Sequence, residues 1–415
     1  MNTHELCLSN TYTDHVVSYL KRLTCDIHDR STGSEGNREA AALVAGLFRS
    51  RAWTTQTQDF QALDWQDNKT TLTATDGAVF DVSASPYSAG CEALGNLTAV
   101  STLEELEAAD LSKKLVLLHG EIVQEPLMPK NFPFYSVDEH QRIIARLEQS
   151  GAIGVICAMP HNEGASTSAA LPPLIEDGDF DIPSVFMTEA EGHRLLPYDG
   201  KRLVLISRSQ RVSSTASNVI AQINGNASKR IVVTAHIDAK KGTPGALDNG
   251  TGITTLLLLS ELLADYTGDF CIELVALNGE DHYAVPGQVA YLAANSDMFG
   301  SFKNVALNIN IDGVGYVEGE TAFSFFGLPA DMNELAIAEL LNQPGSCRGI
   351  EWPQGDHSMF VQAGCPAIAV TSNWLLENMA TQLLTHSADD KIERVDPLKV
   401  VACAQSLKSF IEALS

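Results

Sequence analysis

An α/β fold is what the sequence predicts: a mostly parallel central sheet flanked by helices, with a β-rich domain inserted into it. Three observations carry this expectation. Near-continuous apolar runs at Ile231–Ala235, Ile272–Leu277, Val305–Ile311 and Ala367–Val370 alternate with helical stretches, the pattern of a parallel sheet covered on both faces. The stretch 66–212 breaks instead into short β-type runs separated by turn signals. The 415 residues exceed what one core usually organises, so two domains are expected.

The first zone, 1–65, opens with helical spacing at Val16–Leu23. A loop, Arg30-Ser-Thr-Gly-Ser-Glu-Gly36, leads into a second helix through Ala40–Phe48, whose alanines and Glu39 favour helix. In the middle zone, β-type runs fall at Thr70–Thr75, Val79–Val82, Leu115–Leu118, Ser184–Met187 and Leu203–Ile206. One helix, Glu139–Gln149, passes through Ser150-Gly151 into the strand Ile153–Cys157, and Pro126–Pro133 reads as an exposed loop. The third zone, 213–415, carries the four apolar strands, with helices at Gly252–Asp265, Met332–Leu341 and Leu398–Leu414. Zones one and three together form one domain, 1–65 with 213–415, and 66–212 is the insert.

Composition narrows the function classes. With 45% hydrophobic and 19% charged residues the chain is globular. A net charge of −25 repels nucleic-acid phosphates and anionic lipid, so neither is an expected partner. Met1 to Asn10 lacks the basic and apolar segments of a secretory leader, and no apolar run is long enough to span a bilayer. Eight scattered cysteines without a C-x-x-C pair fit reduced thiols, and the expected location is the cytoplasm.

The informative residues stand where strands end. Ile231–Ala235 runs into His236-Ile-Asp238, Ile272–Leu277 into Asn-Gly-Glu280-Asp281, and Val305–Ile311 into Asp312-Gly-Val-Gly315. Asp248, within Gly245-Ala-Leu-Asp-Asn-Gly250, precedes a helix over the same edge, and His386 follows the fourth strand. Each cluster alone has an ordinary reading as a turn, cap or solvated pair. Together they converge on one crevice, because ligands of open α/β sheets bind beyond the carboxyl ends of the strands. So many carboxylates at one place repel one another unless cations hold them. Imidazole and carboxylate donors without thiolate favour zinc, with cobalt or manganese also suited. Two histidines and three acids suit two metals sharing a bridging carboxylate, roughly 3.5–4 Å apart. Glu280, beside a ligand, fits a general base, and Asp238, two residues from His236, is expected to bond the far nitrogen of its ring.

These motifs, Ala235-His-Ile-Asp238, Gly245-Ala-Leu-Asp-Asn-Gly250, Gly279-Glu-Asp281, Asn310-Ile-Asp312 and Thr385-His-Ser-Ala-Asp389, resemble the M28 family of di-zinc peptidases in order and spacing. The Arg30–Gly36 loop is similar to that family's start, and the middle zone resembles a protease-associated (PA) domain. The resemblance implies a zinc-exopeptidase, phosphorylase/hydrolase-like fold, two zinc ions, and an aminopeptidase acting on peptides. It implies Asp248 as the bridge, followed by a cis peptide bond. His236 and Asp312 would complete one metal, Asp281 and His386 the other, with Glu280 as base and Asp238 orienting His236. Gly355-Asp356-His357 resembles the family's Ser-Asp-His segment, which supports the pocket wall. Two positions depart from the pattern: Asp281 stands where a glutamate is usual, and Thr385 where a tyrosine often helps hold the oxyanion. Glutaminyl cyclisation and a non-catalytic binding role on the same scaffold are the alternatives. A carboxypeptidase for acidic residues would need a basic pocket, for which Lys240 and Lys241 are the candidates.

Overall fold

A computed structural model describes residues 3–160, 172–297, 300–379 and 381–414, with side chains from residue 11 onward. Residues 1 and 2 lie outside the described residues. The chain divides into two compact units, Met1–Ala62 with Thr215–Ser415, and Leu63–Ser214. Strands Thr54–Gln66 and Gln210–Ile223 carry the chain between them. Neither was expected from the sequence, because their alternating polar residues form no apolar run.

The first unit is built on an eight-stranded sheet. Its order is 54–66, 210–223, 271–277, 230–236, 305–311, 367–372, 321–326 and 346–348. The three strands at the centre, 271–277, 230–236 and 305–311, are parallel to one another, and 367–372 continues parallel to 305–311. Antiparallel pairs flank them, 210–223 on 271–277 and 321–326 on 367–372. Sheets of this kind need cover on both faces, and the two faces differ here. Val233, Ala235, Ile309 and Ile311 point into the main core with Leu256, Leu257 and Leu259 of the helix Thr251–Leu262. Fully burying each of those leucines stabilises the fold by about 1.5–3 kcal/mol.

The opposite face is polar, because side chains alternate along a strand. Thr234 Oγ1 donates to Asn310 Oδ1 at 2.8 Å, and Asn308 Nδ2 reaches Thr234 Oγ1 at 3.2 Å. Two residues beyond Thr234 on this face stands His236, and two beyond Asn310 stands Asp312. Helices Glu35–Ser50 and Pro397–Ala413 belong to the apolar side, supplying Val44, Phe48, Leu407 and Phe410 to the core. The helix Glu35–Ser50 starts under Ser34, whose hydroxyl accepts the Asn37 N–H at 3.0 Å.

The second unit holds its own eight-stranded sheet, in which 91–100, 114–118, 154–159 and 184–188 run parallel. Apolar clusters fill both faces of it. Besides the expected helix, Asp138–Gln149, two short ones occur at Leu103–Ala108 and Glu189–Leu195. Each begins with a Thr-x-x-Glu pattern, and the hydroxyls of Thr102 and Thr188 accept the N–H of Glu105 and Glu191. No helix among the described residues is long and apolar enough to cross a membrane.

Candidate metal centre

His236 is the last residue of its strand and pairs in register with Leu277, so the chain segments that follow both strands leave the sheet side by side. Asp312 follows directly on Ile311 of the next parallel strand. Asp248 enters from a tight turn, Ala246–Gly250, that opens the helix Thr251–Leu262, and the Asp248–Asn249 peptide is cis. His386 arrives on a loop in the left-handed backbone region, φ 58°. The five side chains meet. His236 Nε2 lies 3.1 Å from Asp248 Oδ1 and 3.6 Å from Asp312 Oδ1. His386 Nε2 lies 2.9 Å from Asp248 Oδ2 and 3.1 Å from Asp281 Oδ1. The two oxygens of Asp248 therefore face different imidazoles. Asp312 stands on the His236 side and Asp281 on the His386 side.

The donor set fits a cation better than it fits itself. His236 Nε2 and Asp281 Oδ2 are buried and make no hydrogen bond, although His236 sits at ion-pair distance from Asp248. Among the described residues, ligand atoms of His236, Asp248 and Asp281 lie within 4.8 Å of one another. Burial opposes a charge on His236, yet Asp312, Asp238 and Asp248 around it push its pKa well above the usual imidazole value. His386 rises in the same way against Asp281 and Asp248. Burial pushes Asp312 up, with Asp248 and Asp281 adding to the rise. The imidazoles thus supply the positive charge this cluster of acids needs, a role that a divalent cation fills more completely.

Glu280 is half-buried beside these groups. Burial and the nearby Asp281, Asp312 and Asp356 carboxylates push its pKa well above the ordinary glutamate value. A carboxyl tuned upward in this way holds a proton more readily than an ordinary glutamate.

Residues 218–411 match the model of peptidase family M28. The unit belongs to that family. Over 403 residues the chain is 24% identical to aminopeptidase YwaD of Bacillus subtilis, covering 92% of this chain and 80% of that protein. It is 25% identical over 309 residues to a probable lipoprotein aminopeptidase, LpqL, of Mycobacterium tuberculosis, which takes in 72% of this chain but only 58% of the relative. Among solved structures, a zinc aminopeptidase from Bacillus subtilis superposes with a TM-score of 0.74 at 20% identity, over 97% of this chain and 95% of that one. An aminopeptidase from Aneurinibacillus sp. strain AM-1 gives 0.74 at 19% identity, over 96% and 93%.

In this M28 unit Asp238 works differently from the sequence expectation. The His236 ring nitrogen Nδ1 bonds the main-chain oxygen of Asp238 at 3.2 Å, and the nearest carboxylate oxygen is 3.6 Å away. The carboxylate is instead saturated by other donors. Its Oδ1 accepts the N–H of Gly279 (2.8 Å) and Glu280 (3.3 Å), and its Oδ2 accepts the N–H of Asp281 (3.1 Å) and the Thr32 hydroxyl (2.9 Å). Asp238 therefore holds the segment that carries Glu280 and Asp281. The ring reaches an oxygen two residues on because the chain turns back at the strand end, which spacing alone does not specify.

Further residues organise the surroundings of this site without belonging to it. Asn249 donates to Ile311 O at 2.8 Å and accepts the Gly313 N–H at 3.4 Å, bracketing Asp312. Arg30, 3% exposed, donates to Leu23 O, Ile237 O, Pro244 O and Gly245 O. Asn37 and Asn278 exchange two amide hydrogen bonds of 2.9 Å, tying the first turn of the helix Glu35–Ser50 to the end of the 271–277 strand. Asp390 accepts the N–H groups of Leu247 and Asp248, and burial with the charge of Asp248 pushes its pKa up to about 6. Asp356 accepts from Gln288, and burial pushes it up to about 7. His357 bonds Trp352 O at 2.9 Å and stays out of the cluster. The Thr385 hydroxyl accepts from Gln382 Nε2 at 2.6 Å.

Proposed function

We propose that this protein is a zinc-dependent aminopeptidase that releases N-terminal residues from peptides. The observation that carries the reading is Asp248, whose two oxygens face His236 at 3.1 Å and His386 at 2.9 Å, with Asp312 and Asp281 standing on opposite sides of it. Two zinc ions shared by His236, Asp248, Asp281, Asp312 and His386 would supply Lewis acidity to the scissile carbonyl and the attacking water; cobalt or manganese suits the same donors. Glu280 is the general base: it takes the proton of the attacking water and returns it to the departing amine. Its raised pKa matches both halves of that task. Asp238 keeps Glu280 and Asp281 in place through their peptide N–H groups, and the acidic surround favours a substrate carrying a free α-ammonium.

Asp281 is one methylene shorter than the glutamate usual in relatives, yet its Oδ1 stands 3.1 Å from His386, so its reach supports a ligand role. Unit 63–214 is read as a PA-type insert, supported by structural matches that extend over 96–97% of the chain. The seven described cysteines are all unpaired, which fits the reducing cytoplasm.

A glutaminyl cyclase is the second reading, favoured by fold likeness to the cyclases of Porphyromonas gingivalis and Tannerella forsythia at TM-scores of 0.51 and 0.52. The test compares a peptide with a free N-terminus, its N-acetylated form and a peptide beginning with glutamine. Release of the first residue from the free form only, abolished by chelator and by Glu280→Gln, supports the aminopeptidase. Pyroglutamate formation without peptide-bond cleavage transfers the reading to the cyclase, and turnover that survives chelation removes the metal from it.

A further inference from the structure

The turn that delivers Asp248 is gripped from two sides. On its leading edge the peptide oxygens of Pro244 and Gly245 each accept from the Arg30 guanidinium at 2.8 Å. On its trailing edge three successive N–H groups meet one residue: Leu247 N–H donates to Asp390 Oδ1 at 2.7 Å, Asp248 N–H to Asp390 Oδ2 at 3.0 Å, and Ala246 N–H to the Asp390 main-chain oxygen at 3.2 Å. Successive N–H groups turned toward one anion form a small electropositive concavity, and here the anion is a fully buried side chain of the same molecule. No slack exists between the two grips. A Cβ at Gly245, whose φ is 61°, would come within 2.6 Å of Asp248 O, 2.7 Å of Ala239 Cβ and 2.8 Å of Arg30 Nη2.

Asp390 also lies four residues after His386, on the same loop. That loop consequently makes two separate connections to Asp248. His386 meets its carboxylate at 2.9 Å, and Asp390 holds its peptide nitrogen at 3.0 Å. Moving either residue moves the other's partner.

We propose that Asp390 is a positioning residue that fixes Asp248 and His386 as one rigid pair, so that the place of His386 against Asp248 is set by the 386–390 loop, whereas Asp281 is held from the end of strand 271–277. The His236 and Asp312 half is set differently, by the strand ends and by Asn249. The inference rests on the metal-site reading above. Its consequence is that loss of Asp390 weakens the half of the site that contains His386 more than the half that contains His236, since Asp248 is common to both.

The test uses the full-length protein with Asp390→Asn, which keeps size and one acceptor oxygen but turns an NH2 group toward the other N–H. Asp389→Asn is the control, since Asp389 is exposed and, among the described residues, its carboxylate pairs with Lys391 at 3.4 Å and touches no residue of the site. Zinc retention is read by competition with a colorimetric chelator, alongside kcat, KM and thermal midpoint. The expected result for Asp390→Asn is one zinc held about 10- to 100-fold more weakly while the other, which shares Asp248, is weakened clearly less, with kcat reduced and KM unchanged. Asp389→Asn should match the unmodified protein throughout. An Asp390→Asn protein with ordinary retention of both ions overturns the proposal, whether or not its midpoint falls. Equal weakening of both ions overturns the selective coupling. If the unmodified protein holds no zinc, the metal-site reading itself fails and the proposal with it. Should Asp390→Asn not fold, Asp390→Glu, which keeps both acceptors but displaces them by one methylene, gives the same contrast between the two ions.

Discussion

Replacing Asp238 by asparagine changes almost nothing in size and removes one acceptor. The carboxylate takes four hydrogen bonds: Gly279 and Glu280 N–H on Oδ1, Asp281 N–H and the Thr32 hydroxyl on Oδ2. Asparagine best keeps its oxygen on the Gly279 and Glu280 side. Its NH2 then faces Thr32, whose hydroxyl rotates to accept, and the Asp281 N–H, which cannot. One buried N–H is left without an acceptor, at a cost of about 1–3 kcal/mol. Each kcal/mol lowers the thermal midpoint of a unit this size by about 2–4 °C. The larger effect falls on turnover, because the freed peptide group belongs to Asp281 and its neighbour is Glu280. A loss of about 10- to 100-fold is expected in kcat, the usual range for residues that orient a metal site. Thermal unfolding and steady-state kinetics on one preparation measure both. A lowered midpoint with unchanged kcat would refute the idea that Asp238 positions the 279–281 segment. Although burial pushes Asp238 up, His236, the Gly279 N–H and Thr32 hold it below the usual carboxylate range. Its contribution is therefore present above the ordinary value of about 3.9 and lost as pH falls, so the stability gap between the two proteins narrows in acid.

Glu280→Gln should lower kcat by about 10²–10⁴-fold while leaving zinc content intact, measured by elemental analysis beside the assay. Because the Glu280 pKa is raised, kcat in the unmodified protein should fall off in acid at a pH above the ordinary glutamate value of about 4.3, as a pH–rate profile will show. Burial pushes His357 down to about 4, and its ring is 1% exposed. The unfolded chain thus binds the extra proton between about 6.5 and that value, and stability falls by up to about 3 kcal/mol as pH drops through this window. His357→Gln should flatten that part of a stability–pH curve measured by urea unfolding.

Much of this candidate site is legible in the sequence, for a physical reason. A parallel sheet delivers the residues after its strands to one edge, so His236, Asp281 and Asp312 announce themselves as polar residues ending apolar runs. The turn and loop residues Asp248 and His386 were readable through motif order, and the structure brings both within 3.1 Å of other site residues. The supporting bonds were not readable. Asp390 meets the peptide N–H of Leu247 across 143 positions, and Arg30 meets Gly245 O across 215. A side chain bonded to a distant backbone atom imposes no periodicity on either stretch. Asp238 shows the same limit: its place two residues after His236 suggested the ring, and the turn of the chain gave the ring a main-chain oxygen instead. The short helices at 103–108 and 189–195 did carry a signal, the Thr-x-x-Glu caps, but too few apolar residues follow them to make a helical stripe.

The most direct test of the account is a zinc titration of metal-stripped protein, following release of an N-terminal residue from a peptide with a free amine. The stripped protein should be inactive, and activity should rise until about two ions are bound per chain, as expected for a shared bridging carboxylate. Full activity in the stripped protein, or a plateau before any zinc is bound at His236 and His386, would contradict it.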